Sequence, residues 1–140
     1  MKFRYFKFLL EERSDFFGAS ILKPIIPIEI SIGTLSVGYA ALIDSGADMC
    51  IFDAGVGESL GLIITSGISV EFGGIQERGG AKAYLHDVTL TIGGHKIDTK
   101  VGFSYEIAKH GYAILGQKGF FDLFVVKFDL KKEEIELKLR

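Results

Sequence analysis

Short apolar runs rich in β-branched and aromatic residues recur along this chain, and glycine separates them: 18 of its 140 residues are glycine. Helices of ordinary length need roughly ten or more residues of 3.6-residue periodicity. Runs of about four to nine residues closed by glycine read instead as strands joined by tight turns. Strands are expected over residues 2–10, 35–43, 49–52, 68–72, 81–92, 96–103, 112–115, 125–129 and 134–139. In the last of these Ile135, Leu137 and Leu139 share one face. Gly33-Thr34 and Gly93-Gly94 are the hairpin turns, and residues 11–15 are a polar turn. Residues 21–32 are strand-like but hold Pro24 and Pro27, which places their first part at an edge or in irregular structure. Short helices are expected over 54–60, with Asp53 as N-cap and Gly61 just past the end, and over 117–124. The pattern predicts an all-β, barrel-like single domain with one or two short helices: residues 1–14 as an N-terminal strand or extension and 15–140 as the core.

Composition excludes several function classes. Hydrophobic residues make up 48 % of the chain, too many for disorder, and the net charge is −2 with both signs interspersed. No basic stripe is present, so nucleic acid is not an expected partner. One cysteine, Cys50, excludes an intrachain disulfide and suits a reducing compartment. Lys2, Arg4 and Lys7 interrupt the start, where a signal peptide would be apolar. The longest uncharged run, residues 30–43, is shorter than the ~20 residues of a membrane span. A cytoplasmic protein that does not enter membranes is expected. The mean hydropathy of +0.31 suggests a buried subunit interface.

The chemistry concentrates in Ala41-Leu42-Ile43-Asp44-Ser45-Gly46-Ala47-Asp48, where an apolar strand runs into an acid, a hydroxyl and two small residues. Alone, this is an Asx-type turn. Two further features accompany it: the glycine-rich segment 72–80, and Tyr112-Ala113-Ile114-Leu115-Gly116-Gln117 followed by Phe120-Phe121. In this order, over residues 21–129, they resemble the retropepsin family, the retroviral-type aspartic proteases and their cellular relatives.

The resemblance implies a closed acid-protease β-barrel with a glycine-rich flap hairpin. It also implies an aspartic endopeptidase in which Asp44 is the catalytic carboxylate. Two carboxylates sharing a proton can activate water, one accepting its proton and the other donating to the scissile carbonyl. This chain holds one Asp-Ser-Gly loop, so the resemblance implies a homodimer that sets Asp44 beside its copy, with a peptide or protein as substrate and no cofactor. Ser45 then bonds across the dimer axis, Gly46 admits substrate backbone and offers its carbonyl, and Ala47 leaves room beside the pair. Gly73, Gly74, Gly79 and Gly80 let the flap bend, with Ile75 as the apolar contact near its tip. Tyr105 and Ile107 stand where the family has a substrate-pocket wall, or else in core or surface. Residues 1–10 and 133–140 pair between subunits or fold onto their own. The alternative reading is a non-catalytic module of the same fold that binds peptides or dimerises.

Two departures from the family pattern stand out. Where retroviral members carry an arginine after the C-terminal glycine, this chain has Gln117. Asp48 is then expected to take a hydrogen bond from Gln117 or the charge of Lys118. The flap is also more polar, with Gln76, Glu77 and Arg78. Elsewhere, His86, His95 and His110 lack ligand spacing, so no metal is expected. Cys50 sits in an apolar setting and reads as inert. Ser45 lies in no Gly-x-Ser-x-Gly elbow, and no Gly-Lys-Ser/Thr follows the glycine pairs.

Overall fold

Alternation of apolar and polar side chains decides which faces turn inward. In residues 25–32, Ile26, Ile28 and Ile30 are buried while Pro27 and Glu29 between them are exposed. The computed structural model describes residues 1–72, 80–107 and 110–140. Its elements in chain order are β1 (Lys2–Arg4), β2 (Phe6–Ser14), β3 (Gly18–Lys23), β4 (Ile25–Ile32), β5 (Leu35–Ile43), β6 (Ile51–Asp53), helix α1 (Ala54–Ser59), β7 (Ile68–Phe72), β8 (Ala81–Ile92), β9 (His95–Ser104), β10 (Tyr112–Leu115), β11 (Phe124–Asp129) and β12 (Glu134–Leu139), with a 3-10 turn at Ile64–Ser66.

The main sheet runs β4-β5-β10-β6-β9-β8-β7 and closes on itself, because β4 also pairs with β8. Glu29–Ser31 lie antiparallel to Thr89–Thr91 and seal the ring. Closure covers the β4 edge at Glu29–Ser31, while among the described residues β7 has β8 alone beside it. β8 serves two partners on one side, β7 at Ala81–Leu85 and β4 at Thr89–Thr91. Its buried positions change parity between Ala83 and Val88, where it passes from one to the other. The core is filled by Phe52, Phe103, Phe120 and Phe124 among isoleucines and leucines. Phe52 packs at 5.9 Å from Phe103 and 6.2 Å from Tyr39, ring centre to ring centre.

Several sequence expectations need correction. The polar stretch 11–15 continues β2 as far as Ser14, and the reversal falls after it. β2 and β3 form a hairpin of their own, paired at Phe6–Leu9 and again at Ser14, and Glu11, Glu12 and Arg13 lie in the register shift between these. Pro27, by contrast, has the edge position expected of it: β8 pairs with β4 only at Glu29–Ser31, so among the described residues Pro27 has β5 alone beside it, opposite Ala40. The Ile43 amide donates to the Pro24 carbonyl at 2.9 Å. Alternation along the pair then puts Pro27 where an amide would point away from β5, so its missing donor costs the pair nothing. Residues 117–123 form turns around a bridge between Lys118 and Met49, with no helix, and Phe124 begins β11. Gly119 takes φ +100, which a helix does not admit, and its amide donates to Asp122.

Other expectations hold. The shared face of Ile135, Leu137 and Leu139 is present in β12, with Leu139 49 % exposed at the strand's end. Asp53 caps α1 through its carboxylate on the Gly55 amide, and Gly61 follows with φ +84. The chain's beginning pairs with its own end: Lys2–Arg4 lie against Glu134–Glu136, and the Met1 ammonium donates to the Leu137 carbonyl at 2.9 Å.

Phe52 is fully buried. Phe52→Ala is expected to lower unfolding free energy by about 3–5 kcal/mol, the usual cost of such a cavity. Urea denaturation measures it, and a loss under about 1 kcal/mol would contradict this packing.

Candidate active site

β5 delivers Asp44 to the end of the barrel. Ala41 and Ile43 point into the core, and the next residues turn outward. β10 runs parallel to β5, with Leu115 opposite Ile43, and the Leu115 carbonyl accepts the Asp44 amide at 3.0 Å. The chain then reverses. The Ala47 amide donates to the Asp44 carbonyl at 3.1 Å, and Asp44 Oδ1 accepts the Gly46 amide at 2.9 Å. This is the Asx-type turn that the residue types suggest.

The turn is fastened from the far side. The Gln117 amide donates to the Ala47 carbonyl at 2.8 Å and the Lys118 amide to the Asp48 carbonyl at 2.9 Å. The Gln117 side-chain amide donates to the Ser45 carbonyl at 2.7 Å. Gly116 makes this approach possible. A Cβ there would stand 2.3 Å from the Met49 carbonyl oxygen and 2.7 Å from that of Ala47. No side chain fits between two backbones at that distance. Gly46 is tight as well: a Cβ would sit 3.2 Å from Asp44 Oδ1.

One oxygen of Asp44 is thus held by a backbone amide. Among the described residues Oδ2 has no partner, and the residue is part-buried. Ser45 and Gly46 are exposed beside it, with Ala47 part-buried. Asp48 does not receive the contacts expected of it. Gln117 turns to the nearer Ser45 carbonyl, and Lys118 reaches Asp48 only through backbone. Among the described residues the Asp48 carboxylate makes no ion pair and stays exposed.

Of the proposed flap residues, Gly73, Gly74, Ile75 and Gly79 lie outside the described residues. Gly80 is described, and it belongs to the hairpin root. Phe72 pairs with Ala81, and a Cβ on Gly80 would meet the Phe72 carbonyl oxygen at 2.3 Å. Tyr105 is 56 % exposed and lines a hollow of about 310 Å³ with Gly80, Lys82, Tyr84 and Glu106. Ile107 is half-buried and not part of that lining. Larger hollows of about 500 and 670 Å³ lie elsewhere on the barrel, and Asp44 lines neither.

Sequence reading overlooked Ser104, a fully buried hydroxyl that donates to the Lys82 carbonyl at 2.7 Å. A serine inside the buried run Val101-Gly102-Phe103-Ser104 is the available signal, since a buried hydroxyl needs a partner. Cys50 lies under the same loop and is fully buried. Burial pushes its thiol up to about 12, against a lowering contact at Gly116 and with a further push from Asp122. His86 sets its Nε2 2.8 Å from the Ile64 carbonyl, and His110 stacks on Tyr112. Among the described residues no three His, Cys, Asp or Glu side chains gather to hold a metal.

No family sequence model matches the chain, and no curated protein matches it by sequence. Solved structures do match. A retropepsin-like aspartic protease from Rickettsia conorii is similar over 96 % of this chain and 95 % of its own, with TM-score 0.56 and 15 % identity. EIAV protease, solved with an inhibitor, is similar over 68 % of this chain and 82 % of its own, with TM-score 0.48 and 21 % identity. A closed β-barrel with an aspartate turn at the end of a parallel strand pair is an acid-protease architecture. More narrowly, the fold of this chain is that of the retropepsin-like aspartic proteases.

Gly116→Ala is expected to cost about 1–3 kcal/mol of stability, as overpacking does. Denaturant unfolding checks it, and an unchanged midpoint would mean that the two backbones do not meet this closely. Cys50 offers a second check. With its pKa raised to about 12 by the fold, the thiol is protonated in the native state at neutral and mildly alkaline pH. Burial of the neutral thiol therefore contributes fully below the unfolded pKa, and the contribution is lost as pH rises from there through about 12. A thiol reagent at about pH 8 should modify the urea-unfolded protein quickly and the native protein many times more slowly. Equal rates would contradict the burial.

Proposed function

We propose that this chain is one subunit of a homodimeric aspartic endopeptidase in which Asp44 of each subunit activates the hydrolytic water. The observation that carries the reading is the fastened turn. Asp44 sits on a retropepsin-type barrel with its backbone pinned by Leu115 and Gly116–Lys118, one carboxylate oxygen on the Gly46 amide and the other without a partner among the described residues. Such a group is held for use rather than spent on stability. Each chain supplies one, so a second copy across a two-fold axis supplies the other. Close carboxylates do not both ionise, and the pair shares a proton. The ionised member takes a proton from water as the water oxygen bonds to the peptide carbon. The protonated member gives its proton to the carbonyl oxygen. Collapse of the resulting diol breaks the C–N bond, moves a proton to the leaving amine and restores the shared proton.

In this reading Ser45, Gly46 and Ala47 face the axis, and the hairpin beyond β7 covers an extended peptide, with Gly73, Gly74, Gly79 and Gly80 as its hinges and Ile75 near the tip. Tyr105 borders the cleft. In this reading the cleft belongs to two subunits. β1 is committed to its own chain's β12. Dimer contact therefore falls on the Asp44 turns and neighbouring apolar surface, and the dimer is expected to be weak.

Asp48, exposed and without an ion pair among the described residues, favours a second reading, a peptide-binding or dimerising module of the same fold without catalysis. One experiment separates them. A diverse peptide mixture is incubated at about pH 3 to 8 with wild type and with Asp44→Asn at matched concentration. The protease reading expects cleavage that the substitution abolishes and that rises faster than linearly with dilute enzyme. Folded, dimeric and equally inert proteins would put the binding module first. Equal cleavage by both would remove Asp44 from the mechanism.

A further inference from the structure

The turn after β9 is tied to the start of β8. Regular pairing between these strands stops at Tyr84 and Phe103, leaving the backbone of Lys82 without a ladder partner on that side. Two side chains take over. Ser104 donates its hydroxyl to the Lys82 carbonyl at 2.7 Å and accepts the Glu106 amide at 3.0 Å. The Glu106 carboxylate accepts the Lys82 amide. This clasp fixes the position of Glu106, which would otherwise be a mobile surface acid. It also builds one wall of the hollow of about 310 Å³ lined by Gly80, Lys82, Tyr84, Tyr105 and Glu106.

The hollow is placed to meet a bound peptide. Its floor is the root of the hairpin that follows β7. In sequence the loop carrying Tyr105 and Glu106 precedes β10, whose last residue, Leu115, accepts the Asp44 amide. We propose that the hollow selects a lysine or arginine side chain of the substrate, a few residues from the scissile bond, with Tyr84 and Tyr105 offering ring faces and Glu106 the opposing charge. This rests on the protease reading for its substrate and on the hollow alone for its selectivity.

The chemistry favours a cation over the alternatives. Two phenol rings at one small hollow suit a cation or an apolar group, and a fixed carboxylate decides between them. An acidic side chain would face Glu106 directly. Lys82 is the cation in the lining among the described residues; its backbone amide is on Glu106, and its cross-strand neighbour is Glu71. Partial burial, followed by the charge of Glu58 and the neighbouring Tyr84, raises the Tyr105 phenol above its ordinary value. A neutral phenol and the Glu106 side chain then face the ligand.

The test uses a short peptide that the protein cleaves or binds, varied one position at a time on both sides of its centre to lysine, arginine, norleucine or glutamate. Norleucine keeps the length of lysine without its charge. At one position the wild type should show kcat/KM about ten-fold higher for lysine or arginine than for norleucine, with glutamate poorest. Glu106→Gln keeps an oxygen for the Lys82 amide and loses only the charge. The ratio of basic to norleucine peptide should fall severalfold in it, and Tyr105→Ala should lower the same ratio. The peptides are also titrated into Asp44→Asn by fluorescence anisotropy, which needs no catalysis. Binding with the basic preference but no cleavage by the wild type would sink the protease reading and leave the pocket standing. Cleavage without the preference, a ratio unmoved by Glu106→Gln, or no binding of any basic peptide would overturn the pocket.

Discussion

Everything that Asp44 can do depends on two backbones touching where no side chain intervenes. β5 and β10 run parallel, a pairing that needs a long connection and that short hairpins cannot make. At its end Gly116 allows the following segment to cross beneath the aspartate turn and donate into it from Gln117 and Lys118. A hydrogen-bonded turn at a strand end is ordinarily soft. Here its carbonyls are committed at Asp44, Ser45, Ala47 and Asp48, so the carboxylate is presented at a fixed place. The barrel's closure through Glu29–Ser31 and Thr89–Thr91 backs this up, because a ring of strands cannot splay at one seam without breaking another.

Gln117 shows how the arrangement tolerates a change of residue type. A guanidinium at that position would make a charged, two-pronged contact with a carboxylate. The shorter neutral amide makes one bond to the Ser45 carbonyl and leaves Asp48 to the solvent. The turn remains fastened, because most of its bonds are backbone to backbone and indifferent to side chains. What is lost is an electrostatic contact, and with it an anchor that depends on charge and salt.

Much of this was legible in the sequence, for reasons that can be traced. Period-two alternation in residues 25–32 and 35–43 and the glycine turns between them identify the strands, since burial on one face leaves that mark. Asp53 and Gly61 announce α1 because caps use side chains and backbone angles that few residues supply. Three features were hidden. Residues 11–14 continue a strand through a register shift that is paired again at Ser14, without the burial that alternation reports. Residues 117–124 have helical composition, but Gly119 takes a left-handed angle fixed by contacts with Thr99 and Asp122, distant or side-chain partners that composition does not encode. The clasp of Ser104 and Glu106 on Lys82 replaces a strand ladder that stops one residue early, and where a ladder stops depends on the fold as a whole. Gly116 was visible as part of a motif, although its purpose, backbone contact with Ala47 and Met49, emerges only in three dimensions.

The pairing of β1 with β12 has a consequence for how the molecule comes into being. Met1 and Leu137 exchange two hydrogen bonds across nearly the entire chain. During synthesis the first strand emerges with nothing to pair with and must wait for the last. The seam between β4 and β8 imposes a shorter wait of the same kind. Contacts so distant in sequence make for slow folding, because the long intervening chain must be ordered before β1 and β12 gain from pairing. A nascent chain would therefore carry its aspartate turn, fully formed or not, well before its ends are joined.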